Sequence, residues 1–215
     1  MGGHRVPARG EPTPDRVSPD RGATGGLLLT GGASRRFGAP KAEATVDGER
    51  LADRGARLLL AVCDVVFEVG PGYSSLPTVR EDPPGTGPLA ALAAGGDALT
   101  ARAATTRFLV LAVDLPFAER ALLEHLRDHP APGVVVPRVE GMPQPLCARY
   151  STRALATAHA LLADGERAMK ALLAAESVTW IDDDEWRGIA SEAALADVDT
   201  PDDAARWGLD REPPG

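Results

Sequence analysis

The chain has 215 residues, of which 44% are hydrophobic and 25% charged, a composition typical of a globular protein with a sizeable buried core. Its net charge of −8 disfavours broad electrostatic binding to nucleic acid, and its apolar runs are far shorter than the roughly 18 residues of a membrane span. Two cysteines, Cys63 and Cys147, give no disulfide framework and no secretory leader is visible, so we expect a reduced, cytoplasmic location without membrane contact.

The first 24 residues are rich in proline and glycine and nearly free of large apolar side chains. Such a composition is typical of disorder. We therefore predict a disordered tail over residues 1–24, a single domain over residues 25–209, and a short C-terminal tail over residues 210–215.

Short apolar runs alternate with helical patterns through the predicted domain. Strands are predicted at 26–30, 65–69, 78–79, 107–113, 134–136, 146–150 and 178–181. Helices are predicted at 49–63, 89–99, 118–129, 152–163, 167–175 and 201–207, the last with Thr200 as its N-cap and Pro201 at its first position. Residues 182–185, all acidic, are predicted as an exposed turn. This alternation predicts a three-layer α/β/α sandwich around a mostly parallel sheet.

The loop after the first strand is the strongest candidate for a phosphate site. It spans residues 29–41 and reads LTGGASRRFGAPK. Gly31 and Gly32 let backbone N–H groups approach phosphate oxygens, and Arg35, Arg36 and Lys41 are cations in an otherwise acidic chain. The P-loop and dinucleotide fingerprints are both absent. The loop predicts a triphosphate site, the alternative being a Gly-rich turn with solvated arginines.

Asp114 is the strongest candidate for a catalytic carboxylate. It directly follows the apolar strand predicted at 107–113, at the sheet edge where ligands bind in open α/β folds. A carboxylate there must be solvated, paired or bound to a metal. The alternative is that Asp114 merely caps the helix at 118–129.

Two further segments carry weaker signals when taken alone. Asp82 precedes a loop rich in proline and glycine at residues 83–88, where an aspartate commonly stabilises a turn. Gln144, Pro145 and Leu146 indicate by themselves only the start of an edge strand.

Together, five segments resemble the nucleotidyltransferases that build nucleoside-diphosphate sugars and cofactor dinucleotides, and within them the MobA-type molybdenum cofactor guanylyltransferases. The segments are LTGGASRRFGAPK (29–41), EDPPGTGPLA (81–90), VLAVDLPF (110–117), GMPQPLCARY (141–150) and DVDTPDD (197–203). The resemblance covers about residues 26–208 and implies the Rossmann-like fold of the nucleotide-diphospho-sugar transferases.

The resemblance also implies a function. It implies an Mg²⁺-dependent enzyme that transfers GMP from GTP to the phosphate of molybdopterin, or of its molybdenum form, and releases pyrophosphate. Molybdoenzymes or other cofactor-assembly proteins are further partners on this hypothesis. Because a phosphomonoester is largely ionised at neutral pH, the reaction needs alignment and charge neutralisation rather than a nucleophilic side chain.

The same resemblance assigns residues to roles. The nucleotide is assigned to Leu29, Thr30, Gly31, Gly32, Lys41, Asp82 and Asp114. Catalysis is assigned to Arg35, Lys41 and Asp114, and the metal to Asp114. The pterin side is assigned to Gln144, Pro145 and Leu146.

The chain departs from the family pattern in three places. Pro40 stands where the signature loop usually has aspartate, Asp197 and Asp199 stand where the closing motif usually has asparagines, and Glu68 stands for a family asparagine whose role is not carried over. The first two departures are commoner in the related cytidylyltransferases. A cytidylyltransferase, a sugar-phosphate nucleotidyltransferase and a catalytically inactive nucleotide-binding adaptor for molybdoenzyme assembly therefore stay open as alternatives.

Overall fold

The computed structural model describes residues 22–31 and 40–209. The strands of this part are β1 (Ala23–Leu29), β2 (Thr45–Val46), β3 (Glu49–Arg50), β4 (Val65–Val69), β5 (Thr78–Val79), β6 (Thr105–Ala112), β7 (Val134–Val139), β8 (Met142–Pro143), β9 (Cys147–Ser151) and β10 (Val178–Ile181). Its α-helices are α1 (Leu51–Leu60), α2 (Pro88–Arg102), α3 (Arg120–Asp128), α4 (Ala154–Ala163), α5 (Met169–Ala175), α6 (Asp183–Arg187) and α7 (Pro201–Trp207), and short 3₁₀ helices cover Lys41–Glu43 and Glu192–Leu195.

One large sheet organises the described part of the chain. Its strand order is β10-β7-β9-β6-β1-β4-β5, and β8 pairs with β7 at one side. The pairs β1–β4, β1–β6, β4–β5 and β7–β10 are parallel, whereas β9 runs antiparallel to both β6 and β7. The sheet is thus mostly parallel, as the alternation of elements predicts.

Helices cover both faces of this sheet, and β1 shows why. Side chains alternate between the faces of a strand, so Leu27 and Leu29 join the apolar cluster under α2, α4 and α5. Leu28 points the other way and joins the cluster under α1, α3 and α6. The three-layer α/β/α prediction is confirmed.

A third apolar cluster connects two segments that are far apart in sequence. Val46 and Leu51 follow the signature loop, and they pack with Val198 and Leu209 near the C-terminal end of the described chain. The rings of Phe117 and Trp207 also pack there, with centroids 5.1 Å apart. This cluster brings the closing DVDTPDD segment beside the end of the signature loop.

Several elements have the predicted bounds. The strands at 65–69, 78–79 and 178–181 and the helix at 201–207 are observed as predicted. Thr200 caps α7, because the N–H of Asp203 donates to Thr200 Oγ1 at 3.1 Å and the N–H of Thr200 donates back to Asp203 Oδ2 at 2.9 Å.

Other bounds were wrong for identifiable reasons. β1 begins at Ala23, inside the segment predicted as a tail, because Ala23 and Thr24 pair with β6; the rest of that segment, 1–21, and the predicted tail at 210–215 lie outside the described residues. The helix predicted from residue 49 starts at Leu51, since β3 pairs with β2 in a hairpin. The predicted acidic turn at 182–185 instead opens α6, where negative charge in the first turn favours a helix.

Among the described residues, none of the helices has the length and apolar character that crossing a bilayer requires.

Candidate active site

A cleft of about 820 Å³ opens at the carboxyl ends of β1, β4 and β6. This is the edge at which open α/β sheets bind ligands, because neighbouring parallel strands end together there. Its lining consists of Leu29, Thr30, Gly31, Lys41, Val69, Gly70, Pro71, Arg80, Glu81, Pro84, Gly85, Gly87, Pro88, Ala91, Ala112, Val113, Asp114, Leu146 and Asp199.

Lys41 and Asp199 form an ion pair inside this cleft. The Lys41 side chain is only 12% exposed, and its Nζ donates to Asp199 Oδ1 at 2.5 Å. The backbone also holds this region together, since the N–H of Val198 donates to the carbonyl oxygen of Asp114 at 2.9 Å. The third apolar cluster therefore delivers a lysine from the signature loop and a carboxylate from the closing segment to the same point.

Asp114 lies in an electrostatic environment that resists ionisation. Burial raises the pKa of the Asp114 carboxyl above its ordinary value; the positive charge of Lys41 lowers this pKa, and the carboxylates of Asp199 and Asp197 raise it. The N-cap of α3 is Glu119, so Asp114 is not the cap of that helix. A further cation beside Asp114 would stabilise its ionised form.

The end of β1 is tied to the end of β4. The N–H groups of Thr30 and Gly31 both donate to the carbonyl oxygen of Val69, at 3.1 and 3.3 Å. Gly70 passes so close that a Cβ there would lie 2.3 Å from Thr30 Oγ1. The N–H of Gly31, which the sequence predicts to face phosphate, is thus directed at β4 here.

The opposite wall of the cleft carries a second cation. Arg80 Nε donates to the carbonyl oxygen of Gly70 at 3.2 Å, and its Nη2 donates to that of Pro71 at 3.0 Å. Glu81 Oε1 accepts the N–H of Gly85 at 2.8 Å, which fixes the loop that leads into α2.

The structure brings together six of the residues predicted for the site. Leu29, Thr30, Gly31, Lys41, Asp114 and Leu146 all line the cleft. Asp82, Gln144 and Pro145 are not part of its lining. Gly32 and Arg35 lie outside the described residues.

Sequence reasoning missed three charged residues of the cleft, Arg80, Glu81 and Asp199. Arg80 and Glu81 immediately precede Asp82, so the prediction for this loop named the neighbouring carboxylate: Asp82 is exposed, whereas Glu81 is half-buried in the cleft wall. The Asp-Val-Asp pattern at 197–199 was the available signal for Asp199.

Comparison with known proteins places this geometry among nucleotidyltransferases. A sequence profile of the MobA-like NTP transferase domain matches residues 26–186. A protein of Chloroflexus aggregans named probable molybdenum cofactor guanylyltransferase is 33% identical over 193 residues, covering 83% of this chain and 90% of the relative. A protein of Opitutus terrae with the same name is 38% identical over 168 residues, covering 74% of this chain and 82% of the relative.

Solved structures share the fold at lower identity. Molybdopterin-guanine dinucleotide biosynthesis protein A from Archaeoglobus fulgidus superposes with a TM-score of 0.72 at 22% identity, covering 85% of this chain and 96% of that one. The 2-C-methyl-D-erythritol 4-phosphate cytidylyltransferase from Thermus thermophilus superposes with a TM-score of 0.58 at 17% identity, covering 85% and 96%. At such identities the likeness concerns the fold alone.

Proposed function

This chain belongs to the MobA-like NTP transferase family and is a nucleotidyltransferase, and we propose that it transfers GMP from GTP to the phosphate of molybdopterin or of its molybdenum form. The name shared by its relatives supports the substrate pair. The observation that carries the proposal is the meeting of Lys41, Asp114 and Asp199 in one cleft at the carboxyl ends of β1 and β6.

In the proposed reaction, a terminal phosphate oxygen of molybdopterin attacks the α-phosphorus of GTP. A new oxygen–phosphorus bond forms, the bond between the α-phosphorus and the bridging oxygen breaks, and pyrophosphate leaves with that electron pair. The attacking phosphate has a second pKa near 6, so most of it is already deprotonated at neutral pH. The protein's task is to align two anions and neutralise their charge.

Lys41 is the described cation best placed for that neutralisation. It is mostly buried and already faces carboxylates, so a phosphate group would take over the role that Asp199 now has. Arg80, on the far wall, adds positive charge but is partly engaged by the carbonyl oxygens of Gly70 and Pro71. We assign the larger part in stabilising the departing pyrophosphate to Lys41.

Mg²⁺ is part of this proposal. Asp114 would hold it, and Asp199 offers carboxylate oxygens on the same side of the cleft. Among the described residues no three His, Cys, Asp or Glu side chains are grouped to hold a metal by themselves, so the ion would complete its coordination with phosphate oxygens and water, as Mg²⁺ commonly does. Bound there, it would screen the negative charge of the phosphates.

The acceptor side of the cleft is formed at β9. Leu146 lines the cleft just before β9, and Gln144 and Pro145 precede it. The N–H of Gln144 donates to the carbonyl oxygen of Pro137 at 2.8 Å, and the Tyr150 hydroxyl donates to the carbonyl oxygen of Pro145 at 2.8 Å. We propose that molybdopterin approaches from this side, with Leu146 in direct contact and the two preceding residues shaping the edge. The product is itself a cofactor, so a molybdoenzyme or an assembly protein would have to receive it.

A reduced, cytoplasmic setting belongs to the same proposal. Both Cys63 and Cys147 are free thiols, and Cys147 is fully buried. Neither contributes to the cleft lining, which agrees with a reaction that uses no thiol.

Cytidylyl transfer is the second candidate. The Asp197-Val198-Asp199 segment and Pro40-Lys41 support it, since both patterns are commoner among cytidylyltransferases of this fold. Either nucleotide would use Lys41 and Asp114 in the same way, and the choice lies in the walls that face the base.

Pyrophosphate release tests the proposal directly. Purified protein, molybdopterin and Mg²⁺ are incubated with GTP or with CTP, and initial rates are measured together with the thermal protection that each nucleotide gives. We expect turnover and protection with GTP. Faster turnover with CTP would transfer the assignment to cytidylyl transfer, and no release above background with either nucleotide would favour an inactive adaptor.

A further inference from the structure

Glu68 carries a buried carboxylate that the proposed reaction does not use. It lies on β4, is fully buried, and accepts five hydrogen bonds. The donors are Thr30 Oγ1 at 2.6 Å, Gly72 N at 3.0 Å, Tyr73 N at 2.7 Å, Ser74 N at 2.8 Å and Ser74 Oγ at 2.6 Å. A buried carboxylate with this many donors fixes the positions of the groups that donate to it.

The Glu68 carboxyl is ionised at neutral pH. Burial acts to raise its pKa, but the hydrogen bonds from Ser74, Thr30 and the N–H of Tyr73 outweigh burial and bring the pKa below its ordinary value. Each of these bonds is therefore a bond to a charged acceptor, which is the stronger kind.

The two groups that Glu68 connects lie side by side at the ends of the adjacent strands β1 and β4. Thr30 lines the cleft at the end of β1, and the segment that includes Gly72 continues from Gly70 and Pro71, which also line the cleft. Arg80 in turn donates to the carbonyl oxygens of Gly70 and Pro71. One carboxylate thus fixes the spacing between the start of the signature loop and the segment after β4.

We infer that Glu68 is a positioning residue for the nucleoside triphosphate, because it fixes Thr30 against the segment at 70–74 and so holds this part of the cleft lining in one arrangement. Glu68 does not itself line the cleft, so it acts through the groups it binds. The inference rests on the proposed function and adds to it a determinant of nucleotide affinity that is independent of Lys41 and Asp114.

Glu68→Gln is the primary test. Glutamine has the same shape, but its NH₂ group replaces one acceptor oxygen and faces hydrogen-bond donors, so one side of the connection is lost. We expect the Kd and KM for GTP to rise about tenfold to a hundredfold, the range typical of residues that orient binding groups. The kcat should stay close to that of the wild type, because the substitution removes binding shared by the ground state and transition state.

Glu176→Gln is the matched control. Thr157 Oγ1 donates to Glu176 Oε1 at 2.5 Å, so this variant also breaks a bond between a threonine and a glutamate, but outside the cleft lining. It should alter the melting temperature slightly and leave the Kd for GTP unchanged.

Thr30→Val supplies a second measurement that does not depend on the folding of the glutamine variant. It removes only the hydroxyl that donates to Glu68, and we expect weaker GTP binding than in the wild type. In the Glu68→Gln background the same change should add nothing, since the connection is already broken.

The outcomes separate cleanly. Calorimetric titration with GTP, and in parallel with CTP, identifies the nucleotide that the wild type binds. If the wild type binds one of them and Glu68→Gln binds it equally well, or if the effects of the two substitutions simply add, the positioning role is refuted while the proposed function stands. Wild-type protein that binds neither nucleotide would overturn the proposed function and this inference with it.

Discussion

Removal of the Lys41 side chain should separate catalysis from stability. Lys41→Ala deletes the mostly buried cation that pairs with Asp199 at 2.5 Å and that lowers the pKa of Asp114. If this cation neutralises the departing pyrophosphate, its loss should reduce kcat by about 10²–10³, or ~2.7–4 kcal/mol, as for loss of one preorganised charge-stabilising donor.

The same substitution should cost little stability. Asp199 is 51% exposed, and a pair with one such partner contributes about 0.2–1 kcal/mol. Loss of the cation also leaves Asp114 facing Asp199 and Asp197 unscreened, which adds to the cost. A total of about 1 kcal/mol would lower Tm by roughly 2–4 °C in a chain of this size.

The assay is the initial rate of pyrophosphate release at saturating GTP, with Tm measured on the same preparations. The chain has a second lysine, Lys170, exposed on α5, so Lys170→Ala is a control with the same chemical change and should retain wild-type rates. Lys41→Arg should recover only part of the activity, because a planar guanidinium places its charge differently from a compact ammonium. Wild-type rates in Lys41→Ala would refute the assignment of the phosphate site.

Four substitutions, among them Glu68→Gln again, test the electrostatics of the cleft and its walls. Asp114→Asn should abolish Mg²⁺-dependent turnover, and turnover within a few-fold of wild type would exclude Asp114 as the metal ligand. Because the pKa of Asp114 is raised, ionisation of this carboxyl destabilises the folded protein as pH rises from near 4. Without nucleotide, Asp114→Asn should therefore match or exceed the wild-type Tm at pH 7, and this advantage should disappear in acid. The pKa of Glu68 is instead lowered from 4.5, so the free energy of unfolding of the wild type should decline as pH falls below about 4.5 toward that lower pKa. Urea titrations at a series of pH values should show a shallower decline for Glu68→Gln; an equal decline in both proteins would contradict the burial of an ionised carboxylate. Glu81→Gln should raise the KM for GTP about tenfold, the value of one hydrogen bond to a charged group, and more than Asp82→Asn does. The reverse order in steady-state kinetics would restore the assignment of the nucleotide to Asp82.

The sheet was the most predictable part of the molecule because its strands carry local signals. The run at 65–69 is rich in β-branched and aromatic residues and lies between Asp64 and the turn-forming Gly70-Pro71 pair, and it forms β4 at those bounds. The apolar run before Asp114 is covered on both faces, which is what an interior parallel strand requires. Position after such a strand was enough to place Asp114 in the cleft.

Local signals were also present where the prediction failed. Asp47 and Gly48 have φ of 53° and 77°, the conformation of a tight hairpin turn that an Asp-Gly pair favours. The helical periodicity of the residues that follow nevertheless placed the predicted start of the helix at residue 49, two residues too early. Trp186 is buried and its Nε1 donates to the carbonyl oxygen of Arg138 at 2.8 Å, so packing converts the acidic run into α6. Helix propensity, which depends on local sequence, gives no information on this contact with a residue 48 positions away.

The sequence predicts only those parts of the cleft that lie at the end of a predicted strand. Lys41 and Asp199 are 158 positions apart in the chain, and their pairing depends on the third apolar cluster rather than on any pattern near either residue. The choice between Glu81 and Asp82 depends on which way two adjacent side chains point. Both questions are decided by tertiary packing.

The position of β1 has a consequence for how the protein is made. β1 is the first described strand to leave the ribosome, but it lies in the interior of the sheet, and its pairing with β6 extends to the contact between Leu29 and Ala112. Translation at about 5–20 residues per second leaves the apolar side chains of β1 without this neighbour for several seconds. The nascent chain can aggregate during that interval. The lining of the cleft is complete only later, when Asp199 has been synthesised.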